Sequence, residues 1–284
     1  MCMVGLRVVE VMLVEDEQTL GGSAQLWGPL FGQRAGDWAE TWEGPQGWGT
    51  PVYEYVLDRA QVSAGSEVLD CGCGAGRFAR MAADLGARVS GIDASAELVG
   101  IAAERTPEGD FRVGDLETLP WGDESFDLVT GFSVFQFADD KVQAISEAGR
   151  VSRGPVAVVV PTRTSESGLA AAFKPLFPLF PPEGLAQLKQ SGIFALSEPG
   201  KLDEVLAAAG MEVEESTDIE CPAVFENVQT AVRAFVGAGP TMLAISHSGE
   251  QQVAQAVRDG IGPYTDPQGQ VTLPGWYRAV FTGG

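Results

Sequence analysis

Three carboxylates and three glycines carry most of the chemical information in this 284-residue chain. Residues 68–76 read VLDCGCGAG: an apolar run ending in Asp70, then a turn with glycine at 72, 74 and 76. Glycine at alternate positions after a strand lets a backbone approach a ligand more closely than side chains allow. Asp93 closes a second apolar run, in GIDAS, about 20 residues after the turn, a spacing that suits a ribose. An ionised carboxylate offers two acceptor oxygens, enough for both hydroxyls of a ribose, although a strand-end Asp can also simply cap the next helix. A dinucleotide fingerprint would place its third glycine at position 77, where Arg77 stands. That substitution disfavours a nicotinamide cofactor and leaves an oxidoreductase as the less favoured alternative.

The third signal is VGDLETLPWGDESFDLVTGFSVFQFADD, residues 113–140. With it, the chain resembles the class I S-adenosylmethionine (SAM)-dependent methyltransferases, in particular the group acting on small metabolites. The resemblance is close over residues 52–160 and looser over 200–216. It implies that Asp70 lies near the methionine amino group of SAM, and that the backbone around Gly72, Cys73 and Gly74 faces the amino-acid part. It implies that Asp93 holds the ribose, that Asp115 and the backbone of Leu116 read the adenine, and that Ala94 and Leu98 pack beside it. Phe132 to Phe137 would line the path to the methyl group. The chain departs from the pattern at SRGP, residues 152–155, and has Phe135-Gln136-Phe137 where some relatives carry histidines. No histidine base carries over to that position.

Methyl transfer asks a protein mainly for position, because the sulfonium already makes the methyl electrophilic. A base is required only if the acceptor must lose a proton. His247 is the sole histidine and the catalytic candidate by its ordinary pKa, with an exposed residue of a connecting turn as the competing reading. Trp42, Phe135, Phe177 and Phe180 are the candidate substrate contacts, each of which could equally be plain packing. The expected function is in-line methyl transfer from SAM to a small-molecule acceptor. The alternative is a SAM-binding protein of the same fold that does not transfer methyl, as a non-methylating catalyst or a binding module.

The elements that must position these residues follow from periodicity. Strands are expected at 66–70, 89–93, 110–113, 126–132 and 156–160, with helices at 51–60, from Phe78 onward, 96–105 and 141–151. Alternating strands and helices imply a parallel sheet covered on both faces. The predicted fold is α/β: a doubly wound, seven-stranded, mostly parallel Rossmann-like sheet with a helical cap formed by insertions. The expected organisation is a lid or collar at 1–50, a SAM-binding core at 51–161, a cap insertion at 162–199, core again at 200–217, a helical cap insertion at 218–269, and a final core strand at 270–284. Within the core, 201–209 is a helix, 211–215 the sixth strand and 276–281 the last. The insertions leave from the strand ends that bear the glycine turn, so they can roof one site, or form a homodimer face. Trp27, Trp38, Trp42 and Trp48 crowd the collar, as a lid over something apolar or as anchors of ordinary surface helices.

Lys and Arg number 18 against 39 Asp and Glu, a net charge of -21. Without a basic run, that balance argues against nucleic acid and anionic membranes as partners. Of the four cysteines, Cys71 and Cys73 sit too close in sequence to bridge readily, and with one histidine no metal site is expected. The N-terminal MCMVGLRVVEVMLVEDE lacks the basic opening of a signal peptide and is too short to span a bilayer, so a cytoplasmic protein is expected. A stray strand around Val9, Val11 and Leu13 is also expected there.

Overall fold

The computed structural model describes residues 20–44 and 47–283; the expected strand at Val9 to Leu13 lies outside them. Five parallel strands carry the core: β1 (Glu67–Cys71), β2 (Arg88–Asp93), β3 (Asp110–Val113), β4 (Leu128–Phe132) and β5 (Val156–Thr162). Strands β1, β4 and β5 are apolar on both faces and buried almost throughout, as parallel strands sandwiched between helices must be. Helices α4 (Arg77–Asp84), α5 (Ala96–Arg105) and α6 (Lys141–Val151) connect them. α5 starts where the Ser95 hydroxyl accepts from the Leu98 N–H at 3.2 Å, and α6 where Asp140 accepts from the Gln143 N–H at 2.9 Å. Each cap satisfies a donor that the first helical turn leaves unpaired.

Two further strands, β6 (Val213–Glu220) and β9 (Trp276–Thr282), complete one seven-stranded sheet in the order β3-β2-β1-β4-β5-β9-β6, with β9 antiparallel to both neighbours. The strand order reverses between β1 and β4, and a crevice opens there at the carboxyl ends, where doubly wound sheets hold ligands. β6 runs longer and later than the expected 211–215. Its sequence, VEESTDIE, is an acidic, half-exposed edge with no apolar run to reveal it. β4 begins at Leu128 instead of Phe126, which only bridges to Ser152.

The remaining elements build a second layer over the crevice. α7 (Gly168–Phe173), a 3-10 segment (Lys174–Leu179) and α8 (Pro182–Ser191) follow β5; α9 (Lys201–Ala208) returns the chain to the sheet. After β6 come β7 (Ala223–Phe225), α10 (Val228–Val236), α11 (Gly239–Ser248), α12 (Glu250–Ile261) and β8 (Val271–Leu273). β7 and β8 pair antiparallel to each other, outside the main sheet. The second insertion is therefore not purely helical, and Val271 to Leu273 belong to the cap although they fall within the segment expected to be core. The cap has its own apolar interior, including Leu176, Phe180, Phe235, Val257 and Ile261.

Ahead of the sheet, α1 (Gly22–Gly32), α2 (Ala35–Thr41) and α3 (Thr50–Arg59) form the collar and the first core helix. α1 packs on α5 of the core and α11 of the cap, while α2 packs on α5 and α10, so the collar bridges both layers. Close approach makes this possible: a Cβ at Gly28 would collide with the carbonyl of Ala94. Trp42 locks the other side, its indole donating to the Ala234 carbonyl at 2.8 Å while Phe225 and Phe235 meet its ring edge-on.

Candidate functional site

One cavity lies over the switch point and reaches from the glycine turn to the cap. Asp70, Gly72, Cys73, Gly74, Asp93, Ala94, Leu98, Asp115, Leu116 and Phe132 all line it. Ten positions picked from sequence thus meet in one crevice, brought there by β1, β2, β4 and the ends of β2 and β3.

The glycine turn is held almost wholly by its own chain. The N–H groups of Gly72 and Cys73 both donate to the Ile92 carbonyl, at 2.7 and 3.0 Å, and that of Gly76 to the Cys73 carbonyl at 2.9 Å. Gly74 N–H donates to Asp93 at 3.0 Å. Those of Ala75 and Arg77 donate to Glu43, at 2.8 and 3.1 Å. A phosphate-binding turn needs such donors free for its ligand; here they are engaged. The turn instead offers close approach and carbonyl oxygens. At Gly72, with φ of 67°, a side chain would be strained and would also strike Val134.

Glu43 escaped the sequence reading. It comes from the end of the collar, yet its carboxylate caps the N-terminus of α4 and also accepts from the Trp38 indole at 2.6 Å, with Arg105 at 3.4 Å. No local pattern announces it, because its partners lie more than 30 residues downstream. Burial raises its carboxyl above the ordinary range, against the lowering effect of those hydrogen bonds.

The same desolvation acts on its neighbours. Burial pushes Asp70 up to about 8, opposed by the Thr130 hydroxyl that donates to it at 2.8 Å and reinforced by the charges of Glu43 and Asp93. Burial likewise pushes Asp93 up to about 6, although the N–H groups of Ser95 and Gly74 steady the ionised form. Tyr53, beside Glu43 and Asp70, is held neutral by burial and by their charges. Among the described residues no Lys, Arg or His lines the cavity. Arg105 faces Glu43, while Asp70 and Asp93 have no cationic side chain beside them among the described lining residues, an environment that a cationic ligand would relieve.

SAM fits this arrangement on three counts. Asp70 presents an uncompensated carboxyl where the ammonium group is expected. Asp93, its two oxygens oriented by backbone donors, keeps lone pairs for two hydroxyls. The buried indole nitrogen of Trp27, which lines the same half of the cavity, has no partner of its own.

Four expected contacts do not reach the cavity. His247 is exposed in the last turn of α11, neither in a connecting turn nor among the lining residues. Phe135 turns under the sheet into the opposite core, where it is 1% exposed. Phe180 is spent on the interior of the cap, and Phe177 faces solvent at 46% exposure. Trp42 does line the cavity, together with Trp27, Trp38 and Trp48. Ser133, within the expected segment Phe132 to Phe137, joins them, and so do Tyr53, Phe173 and Tyr277, which were not anticipated.

The sheet order, its single reversed strand and the carboxylates at the ends of β1 and β2 define a class I SAM-binding α/β protein. Residues 69–158 match the family described as a methyltransferase domain. A Mycolicibacterium smegmatis protein described as an S-adenosylmethionine-dependent methyltransferase is 34% identical over 213 residues, covering 73% of this chain and 70% of that protein. The chain belongs to the SAM-dependent methyltransferase family, and its cofactor is SAM. A malonyl-acyl-carrier-protein O-methyltransferase of Serratia marcescens is 32% identical over 102 residues, 36% of this chain but only 40% of that protein. Among solved structures, the 4+2 cyclase SpnF shares the fold with a TM-score of 0.56 at 21% identity, covering 93% of this chain and 97% of that one. Among the described residues no helix is long and apolar enough to cross a membrane.

Proposed function

We propose that this protein transfers the methyl group of SAM, by in-line displacement, to a small, uncharged and largely apolar acceptor. The observation that carries the reading is one cavity with two kinds of lining. The carboxylates of β1, β2 and the β3 end line it together with Trp48, Tyr53, Leu169, Phe173 and Tyr277, and we assign the first group to the cofactor and the second to the acceptor. When bound, SAM supplies an electrophilic methyl on a positively charged sulfur. The protein's part is to hold an acceptor atom roughly 3–3.5 Å from it, in line, and to exclude water. The collar and cap achieve the exclusion by closing over the crevice.

The absence of a cationic side chain among the described lining residues argues against anionic acceptors. Among the described lining residues a carboxylate or phosphate would meet Glu43, Asp70 and Asp93 and no cationic side chain, with only the sulfonium of SAM as a counter-charge against its desolvation cost. A malonyl carboxylate, the acceptor implied by the name of the Serratia relative, is therefore disfavoured for this chain. Exclusion of His247 also leaves acceptors that need no strong base: an amine already neutral, or a hydroxyl acidic enough to lose its proton to water or to a nearby carboxylate.

The test is incubation of purified protein with SAM and a panel of uncharged phenols, alcohols and amines, with S-adenosylhomocysteine and methylated product both quantified. Equal yields of the two support transfer. The cyclase that shares this fold makes the contrary outcome informative: SAM bound and never consumed across the panel would favour the non-transferring alternative. Calorimetry with SAM, S-adenosylhomocysteine and NADH anchors the cofactor half, where Asp93→Ala is expected to weaken the first two at least tenfold.

A further inference from the structure

We propose that Ser133 is the positioning residue of the acceptor half: its hydroxyl hydrogen-bonds the oxygen or nitrogen of a planar, uncharged acceptor at the border with the cofactor. The proposal rests on the methyl-transfer reading and gives it a substrate class. Ser133 directly follows β4, lines the cavity, and holds a left-handed backbone with φ of 53°. A non-glycine residue pays strain for that conformation, and such strain gathers where a side chain must be aimed. The aim is fixed on three sides. Its N–H donates to the Val159 carbonyl at 2.8 Å. Phe132 before it packs on Tyr53 and Phe78, each at 4.6 Å between ring centres. Val134 after it abuts the glycine turn at Gly72.

Among the described residues nothing uses the Ser133 hydroxyl. Ser133 Oγ is buried and has no hydrogen-bond partner, a condition that native interiors rarely leave unexplained. Among the described residues, Trp27 Nε1 is the other unpartnered buried side-chain atom on a residue lining this cavity, and it lies with the collar over Ala94, on the cofactor side. Ser133 lies at the junction instead. β4 sits between β1, which bears Asp70, and β5 with β9, which bears Tyr277. Beyond that junction the walls are aromatic, with Trp48 stacked on Tyr277 at 4.3 Å and 23° between planes. Flat faces of this kind select a flat partner, and the hydroxyl, donor and acceptor at once, suits a neutral heteroatom better than a charge.

The probes are para-cresol and its isostere para-xylene, titrated by ligand-observed NMR into protein saturated with S-adenosylhomocysteine. In the unmodified protein para-cresol is expected to bind about tenfold more tightly than para-xylene, the worth of one satisfied buried hydrogen bond. In Ser133→Ala the preference falls below twofold, with S-adenosylhomocysteine affinity unchanged. Ser133→Gly, which adopts the left-handed backbone without strain, gives the same loss, with folding checked by its Tm. A preference that survives both variants overturns the proposal. So does a loss of S-adenosylhomocysteine binding in the variants, which would assign Ser133 to the cofactor. If neither probe binds while the unmodified protein holds S-adenosylhomocysteine, the acceptor class falls and the methyltransferase reading stands. Failure to hold S-adenosylhomocysteine at all would sink that reading too.

Discussion

Cofactor binding should release a proton, and Asp70 is the reason. In the free protein its carboxyl is pushed up to about 8, so at pH 7 about nine-tenths of molecules carry it protonated. An ammonium group beside it favours the ionised form. Binding at pH 7 should then expel about 0.9 proton per site. Asp93, pushed up only to about 6, is already ionised at that pH and adds little. The same linkage makes S-adenosylhomocysteine affinity rise with pH below 8, by about fifty-fold from pH 6 to pH 8, and level off above it. For the fold itself the sign is opposite. A carboxyl raised from 3.8 in the unfolded chain to about 8 in the folded one contributes its full stability below pH 3.8, and loses it as the pH climbs toward 8. Calorimetry in buffers of different ionisation enthalpy counts the protons directly. Asp70→Asn, isosteric and permanently neutral, should abolish both the release and the pH slope. Heats that do not depend on buffer, together with an affinity constant from pH 6 to 8, would refute the placement of the cation beside Asp70.

Two further outcomes follow from the geometry. Glu43→Ala strips partners from two N–H groups of the α4 N-terminus and from the Trp38 indole. It should cost about 3 kcal/mol, a fall in Tm of about 6–12 °C, accompanied by faster proteolytic cleavage in the collar. An unchanged Tm would show that the carboxylate is dispensable as a cap. His247→Ala should leave methyl transfer within about twofold, as expected for an exposed side chain with no tie to the site, and a hundredfold loss in kcat would restore it as a base.

Much of the carboxylate-bearing end of the cavity was legible because it is written in short, local codes. A parallel strand ending in Asp, a turn at Gly72, Gly74 and Gly76, and Asp93 one strand later are fixed in spacing by the βαβ unit itself. The aromatic lining has no such code. Phe135, Phe177 and Phe180 looked like equivalent aromatic candidates beside the crevice, yet one points through the sheet, one faces solvent and one fills the cap. Which side of a 3-10 turn or short helix an aromatic ring takes depends on partners distant in sequence.

The sequence by itself determined the alternation of strands and helices, the glycine turn and the carboxylates at the ends of β1 and β2, because each depends on residues within one supersecondary unit. Only the tertiary structure decided that an acidic edge, Val213 to Glu220, closes the sheet against β9. Only it brought Glu43 across more than 30 residues to cap α4, and left the hydroxyl of Ser133 buried without a partner. Those outcomes rest on pairings between segments far apart in the chain, whose loop-closure cost is met only when the whole collar, core and cap assemble together.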